Sequence, residues 1–229
     1  MERVALISGA SRGIGAAIAE RLSREGWQLS LGMRNPQRPL WADPERVHLA
    51  GYDAHAPREE EWVEGARKRF GRIDAVIASA GIVSKNTVIE ADDAEMDDLF
   101  AINVKAPRRL IKAAWDDLAA SGKGRVVVLG SLSGKRVKSR TSGLYSISKY
   151  ASVALAQAVR HAGFDLGIRA TAVCPGLVAT DMGLSVTDRP AELLTDPRDI
   201  ARIVAMLIDL PNEASVAEFT INCQLEESY

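Results

Sequence analysis

No stretch of this 229-residue chain approaches the ~20 consecutive apolar residues of a membrane-crossing helix, so the sequence offers no membrane partner. No charge excess is present either: 29 lysines and arginines meet 30 aspartates and glutamates, for a formal net charge of −1. The basic footprint of a nucleic-acid binder is therefore missing, and the interspersed charges read as a solvated surface. The two cysteines, Cys174 and Cys223, are too few for a disulfide framework. Cys174 ends an apolar run and reads as a small buried side chain. His48, His55 and His161 lack metal-ligand spacing, so no metal site is predicted. Internal repeats, low-complexity segments and linkers are absent. No signal peptide is expected, because a strand begins at Arg3. These absences leave a cytoplasmic protein as the expectation, with a single domain over residues 1–229. The length and the ordinary apolar content (47%) are enough for a full core.

What is present is alternation. Apolar strand-like runs occupy 3–8, 28–32, 47–51, 74–79, 125–130, 169–174 and 218–222. Helix-like segments lie near 14–25, 58–70, 93–120, 142–162 and 197–209. Trp62, Ala66 and Phe70 trace one face of the second. Asp196 before Pro197 reads as an N-cap followed by proline at the first helical position. Pro107 is predicted to kink or interrupt the third helix. Such alternation implies an α/β fold: a doubly wound parallel sheet of about seven strands with helices on both faces. Ligands in such sheets bind at the carboxyl ends of the strands, where strand order reverses. Gly9, Ser79, Ser131 and Pro175 each follow a strand candidate, so they are expected along one edge.

The first strand candidate runs straight into glycine. Gly9, Gly13 and Gly15 have the spacing G-x-x-x-G-x-G, and Ile14, Ile18 and Leu22 then recur at helical spacing. A strand–glycine turn–helix aims backbone N–H groups and a helix N-terminus at phosphate, and the glycines let a pyrophosphate approach closely.

Tyr145 and Lys149 stand four apart, on one face of the fourth predicted helix. A tyrosine, with pKa about 10, is a poor proton donor or acceptor at neutral pH. At roughly 4 Å and an effective dielectric near 20, an ammonium attracts a phenolate by about 4 kcal/mol. That equals roughly three pKa units, enough to bring a phenol toward neutrality. Taken alone, the spacing is weak, since a solvated lysine beside a half-buried tyrosine is common.

Together, the turn and the pair resemble the short-chain dehydrogenase/reductase family, and the resemblance runs along nearly the whole chain. Ser79, Ala80 and Gly81 stand where the family usually has Asn-Ala-Gly. Asn103, in Phe100-Ala-Ile-Asn-Val, matches its active-site asparagine. Ser131, after the run beginning at Gly124, matches its catalytic serine. Pro175, Gly176, Val178 and Thr180 match the segment that closes over the nicotinamide. The resemblance implies a Rossmann-type fold and reversible hydride transfer between a nicotinamide cofactor and a small carbonyl or alcohol substrate. It implies that Tyr145 gives its proton to the carbonyl oxygen. Lys149 lowers the tyrosine pKa and binds the nicotinamide ribose. Ser131 hydrogen-bonds the substrate oxygen, and Asn103 anchors a water linking Lys149 to solvent. Gly9, Ser11, Arg12, Gly13, Ile14 and Gly15 are the implied phosphate cradle. Asp53 falls where relatives contact the adenine amino group.

NADP(H) is expected in preference to NAD(H). NAD-preferring relatives carry a carboxylate after the second strand, where this chain has Met33. Arg34 follows and can grip a phosphate, with Arg12 as a second charge; the bland reading makes Arg34 a surface arginine. A homodimer or homotetramer is expected through helices 93–120 and 142–162, on the apolar residues Leu110, Trp115, Val153 and Leu155. Departures from the family pattern leave the substrate open. Lys135, Arg136, Lys138 and Arg140 crowd the approach to Tyr145, which favours an anionic substrate or is simply a solvated loop. The segment from Thr180 to Asp196 is short for a lid, and the end from Ile221 to Tyr229 lacks the usual Asp-Gly-Gly. A catalytically silent NADP(H)-binding sensor or scaffold is the alternative from another class, and epimerisation a distant third.

Overall fold

In a computed structural model describing residues 2–225, the seven apolar runs become seven strands. These are β1 (Val4–Ser8), β2 (Gln28–Met33), β3 (Val47–Gly51), β4 (Ala75–Ala78), β5 (Arg125–Leu129), β6 (Arg169–Pro175) and β7 (Glu218–Ile221). They form one sheet in the order β3-β2-β1-β4-β5-β6-β7, parallel throughout. β1, β4 and β5 are buried at every position, as helices on both faces require, and so they read as unbroken apolar runs.

The pleat sends alternate residues to two cores. Ala5 and Ile7 join the side covered by α1 (Gly13–Arg24) and α8 (Pro197–Asp209), through Ile18, Leu22, Val204 and Ile208. Leu6 and Val76 join the opposite side. There α2 (Glu59–Phe70), α4 (Ala106–Ala113) and α6 (Gly143–Gly163) contribute Ala66, Leu110 and Val153. Asp196 caps α8 by accepting from Arg198 N at 2.8 Å, with Pro197 in the first turn as the sequence predicts. The chain builds outward from β1 to β3, then returns to lay β4 on the other side of β1. Strand order reverses there, and the carboxyl ends of β1 and β4 open a crevice.

The helix predicted over 93–120 is in fact four pieces: α3 (Asp93–Phe100), a π-helical turn over Ala101–Lys105, α4, and α5 (Trp115–Ala120). Pro107 does not mark the break itself, because it sits in the first turn of α4. The irregular turn is the one before it, and it contains Asn103. The reason is local: the α-helical partner of the Asn103 carbonyl would be the N–H of residue 107, which proline lacks. Ser152 Oγ on α6 stands 2.9 Å from that carbonyl and 2.9 Å from the Ser148 carbonyl, and its one proton is shared between the two. Such π turns often mark functional sites.

The apolar residues expected to form a second stripe are largely spent inside the chain. Leu110 and Val153 are buried, and Trp115 and Leu155 pack partly buried against the same core. The apolar side chains that α6 exposes are Ile147 and Tyr150. No helix among the described residues is long and apolar enough to cross a membrane. Residues 226–229 of the atypical C-terminus lie outside the described residues.

Candidate active site

Two cavities open at the carboxyl edge of the sheet. The first, about 520 Å³, lies over the glycine turn. It is lined by Gly9, Ser11, Arg12, Gly13, Ile14 and Gly15 from the turn, Arg34 after β2, Asp53 after β3, and Ser79, Ala80 and Gly81 after β4. The turn is tight for a physical reason. Gly9 has φ +67°, and a Cβ there would stand 2.8 Å from the Ala80 amide nitrogen; a Cβ on Gly15 would collide with the Gly9 carbonyl. Ser8 Oγ accepts from the amides of Ser79 (3.1 Å) and Ala80 (3.2 Å), fastening the ends of β1 and β4 together. Ser79 thus stands in a bonded turn although it replaces the more usual asparagine. The first turn of α1 has no acidic residue and its N-cap, Arg12, offers no side-chain hydrogen bond. Its leading N–H groups therefore face the cleft without a side-chain cap.

The second cavity, about 870 Å³, is lined by Ser131, Tyr145, Pro175, Gly176 and Val178 among others. Thr180 lines both cavities, so they meet at the start of α7 (Asp181–Leu184), whose N-cap is Thr180. Lys149 and Asn103 line neither. They are buried behind Tyr145, at 6% and 2% exposure. Sequence positions from 9 to 180 therefore converge as expected, with Lys149 and Asn103 one layer deeper.

Lys149 Nζ donates to the Leu129 carbonyl at 2.7 Å and lies 5.7 Å from the centre of the Tyr145 ring. Burial pushes Lys149 down to about 8, since an ammonium loses its water there. Burial pushes Tyr145 up to about 12, while a hydrogen bond with Ser131 pulls the other way. The expectation that Lys149 draws the phenol toward neutrality is thus corrected for these side chains alone. Desolvation is the largest cause and sets the direction of the Tyr145 shift. Ser131 sits at the end of β5, opening the short turn Leu132–Gly134. Its Oγ accepts from Ser133 N at 3.1 Å, and of the two serines Ser131 is the one hydrogen-bonded to Tyr145.

The Asn103 side chain clasps the strand-end loop on both sides. Its Oδ1 accepts from Ile82 N, and its Nδ2 donates to Ile82 O and to Ser148 Oγ, each at 3.0 Å. Ser148 and Ser152 went unremarked in the sequence. Their i, i+4 spacing, alongside that of Tyr145 and Lys149, was the available signal. Also unmarked were Lys85, on the second cavity, and Asp181, which takes Arg12 in an exposed ion pair at 2.8 Å. Met33 is buried at the end of β2. Arg34 is exposed and pairs with no described residue.

A model of the short chain dehydrogenase family matches residues 3–191. An agropine synthesis reductase of Rhizobium rhizogenes is 37% identical over 97% of this chain and 53% of its own length. The chain spans about half the length of the two such reductases it matches. An uncharacterized oxidoreductase of Staphylococcus saprophyticus is 31% identical over 96% of this chain and 97% of its own. Among solved structures, an alcohol dehydrogenase from the archaeon Thermococcus sibiricus, complexed with 5-hydroxy-NADP, superposes with TM-score 0.85 at 29% identity. The match covers 99% of this chain and 100% of that one.

Proposed function

This chain belongs to the short-chain dehydrogenase family, and from that premise we propose that it is an NADP(H)-dependent oxidoreductase interconverting a carbonyl and an alcohol, with Tyr145 as acid and base. The observation that carries the reading is the junction of the two cavities. A cleft shaped for a dinucleotide meets a substrate-sized cavity where Ser131 and Tyr145 face inward and Lys149 stands behind.

The fit to the cofactor rests on the turn. Its backbone fills the space that side chains would occupy, and uncapped N–H groups point where a pyrophosphate would lie. Gly9, Ser11, Gly13, Ile14 and Gly15 would hold the phosphates, Asp53 the adenine, and Ser79, Ala80 and Gly81 the adjoining ribose. Pro175, Gly176, Val178 and Thr180 would cover the nicotinamide. The nicotinamide supplies or accepts the hydride. The rest falls to the chain. Ser131 donates a hydrogen bond to the substrate oxygen and holds it beside Tyr145, whose hydroxyl gives its proton to that oxygen during reduction. Lys149 is the stronger acid of the pair, about 8 against about 12, so it is the group ready to return a proton to the phenolate. A hydroxyl or water between them would carry it. Asn103, clasped to Ile82 and Ser148, keeps the loop after β4 beside Lys149 and supports the solvent path.

The proposed preference for NADP(H) rests on the end of β2. There is no carboxylate at position 33 to repel a 2′-phosphate, and the unpaired Arg34 lines the cleft. Arg12 would have to leave Asp181 to help, so Arg34 is assigned the larger share. A panel of ketones, aldehydes and 3-oxoacyl thioesters, followed by loss of NADPH absorbance, tests the function. Turnover supports it. Tight NADPH binding without any turnover would leave the silent sensor as the better reading. Equal or better efficiency with NADH would refute the preference.

A further inference from the structure

The four cations between Ser131 and Tyr145 are sorted by the fold into two groups. Lys135 donates to Glu218 on β7 in an ion pair, and Arg140 reaches Glu90 at 3.3 Å. Neither lines the substrate cavity. Arg136 and Lys138 do line it, and Lys85 joins them from the loop after β4, which is distant in sequence. Three cationic side chains from two separate loops thus border the space in front of Tyr145. Among the described residues, Asp188 is the one acidic side chain on that lining. A cleft with walls of one charge sign concentrates ligands of the other. Hydroxyls of Ser139, Thr141 and Ser142 on the same wall add donors to an oxyanion.

We propose that the substrate is a carbonyl compound carrying an anionic group, a carboxylate in the first instance, which the Lys85–Arg136–Lys138 wall receives while Ser131 and Tyr145 take the carbonyl oxygen. The proposal rests on the oxidoreductase reading above and adds the substrate class. It does not require these cations to lack other partners. Arg136 and Lys138 keep contacts within the chain, Lys138 Nζ lying 3.3 Å from the Gln224 side-chain amide. It requires that the anionic group of the substrate compete with those contacts and with Asp188. The guanidinium of Arg136, partly buried, is the member suited to paired hydrogen bonds with a planar carboxylate.

Matched probes of one skeleton test it: 4-formylbenzoate against its methyl ester, and 4-oxopentanoate against its methyl ester, with NADPH. The acids should be reduced with kcat/KM at least about tenfold above the esters, the scale of one charge-assisted contact. The ratio should fall toward one as salt rises. In the Arg136→Gln/Lys138→Gln variant the acid-to-ester ratio should drop about tenfold. A folding defect would lower both rates together and leave the ratio alone. Titration calorimetry of 4-(hydroxymethyl)benzoate and its methyl ester against the NADPH-loaded protein, where no hydride acceptor is present, should show the same preference without turnover. Esters turned over as well as acids would overturn this inference and leave the oxidoreductase reading standing. No turnover of either probe, with no binding preference, would overturn both for these compounds. An acid preference that survives the double substitution would overturn the assignment to this wall. A phosphorylated aldehyde (glyceraldehyde 3-phosphate) preferred over both acids would overturn the carboxylate in favour of phosphate.

Discussion

The cleft over the glycine turn and the cavity in front of Tyr145 share Thr180, yet they are made of different materials. The cleft is backbone: glycines at strand ends, uncapped helix N–H groups, and two amides fastened by Ser8. The cavity is side chain: Ser131, Tyr145 and a wall of cations and hydroxyls on loops and short turns. The backbone half tolerates no added atoms but asks little of its neighbours. The side-chain half depends on groups placed by distant segments, such as Lys149 held by Leu129 and Asn103 held by Ile82.

Substitutions should separate the two halves, and the largest effect belongs to the chemistry. Tyr145→Phe keeps the ring and removes the proposed proton donor. Steady-state assays should show kcat lower by roughly 10²–10⁴-fold, with cofactor affinity nearly unchanged by fluorescence titration. More than about a tenth of the wild-type rate would sink the assignment. Gly15→Ala strikes the backbone half. Its Cβ collides with the Gly9 carbonyl, so urea melts should lose about 3 kcal/mol, the upper end of ordinary overpacking, and cofactor binding should fail too. An unaltered melt would mean that the turn yields more easily than its geometry implies. Arg34→Ala touches selectivity alone: NADPH affinity should fall by about 1.5–3 kcal/mol while NADH affinity holds, the scale of one charged hydrogen-bonding contact.

Smaller effects test the buried layer behind Tyr145. Lys149→Met should abolish activity yet raise stability by about 1–2 kcal/mol at pH 7. The shift from 10.5 to about 8 corresponds to about 3 kcal/mol, less about 1 for the lost bond to Leu129. The sign follows from proton counting. Below pH 8, folded and unfolded chains both hold the proton and the full burial penalty acts. Between about 8 and 10.5 the unfolded chain holds a proton that the folded one has released, so wild-type stability rises with pH. The variant's advantage should therefore shrink over that window. Tyr145 and Cys174, both raised by burial, oppose the rise at the alkaline end; Tyr145 drops out of the difference, whereas Cys174, which Lys149 lowers, is raised further in the variant. A gap that stays constant with pH would show that Lys149 is not the titrating group. Ser152→Ala should cost about 1 kcal/mol by removing a hydroxyl whose proton the Asn103 and Ser148 carbonyls share. The loss should be smaller in a Pro107→Ala background, where residue 107 regains an N–H. Equal losses in both backgrounds would break the link between Pro107 and the irregular turn.

All seven strands were legible to within a residue or two; β1, β4 and β5, buried on both faces, must be apolar nearly throughout. The glycine turn was legible because its chemistry is local: spacing alone sets which backbone groups face the cleft. The site was half legible. Tyr145 and Lys149 are neighbours on one helix, so their pairing shows in the sequence, but the depth of their burial does not. Depth decided the direction of both pKa shifts. Helix 93–120 failed at its joints because the irregular turn comes from a missing N–H at Pro107 meeting a hydroxyl from Ser152, residues 45 positions apart.

The amino-acid sequence by itself determined the parallel sheet, the glycine turn and the pairing of Tyr145 with Lys149, since each rests on periodicity or spacing within one segment. Only the tertiary structure decided which cations of the run from Lys135 to Arg140 line the cavity in front of Tyr145, Arg136 and Lys138, and which lie outside it, Lys135 against Glu218 and Arg140 against Glu90. It alone joined Lys85 to them, and it set Lys149 deep enough that burial lowers its pKa. Charge pairing and desolvation depend on neighbours through space, and a linear chain does not say which residues those will be.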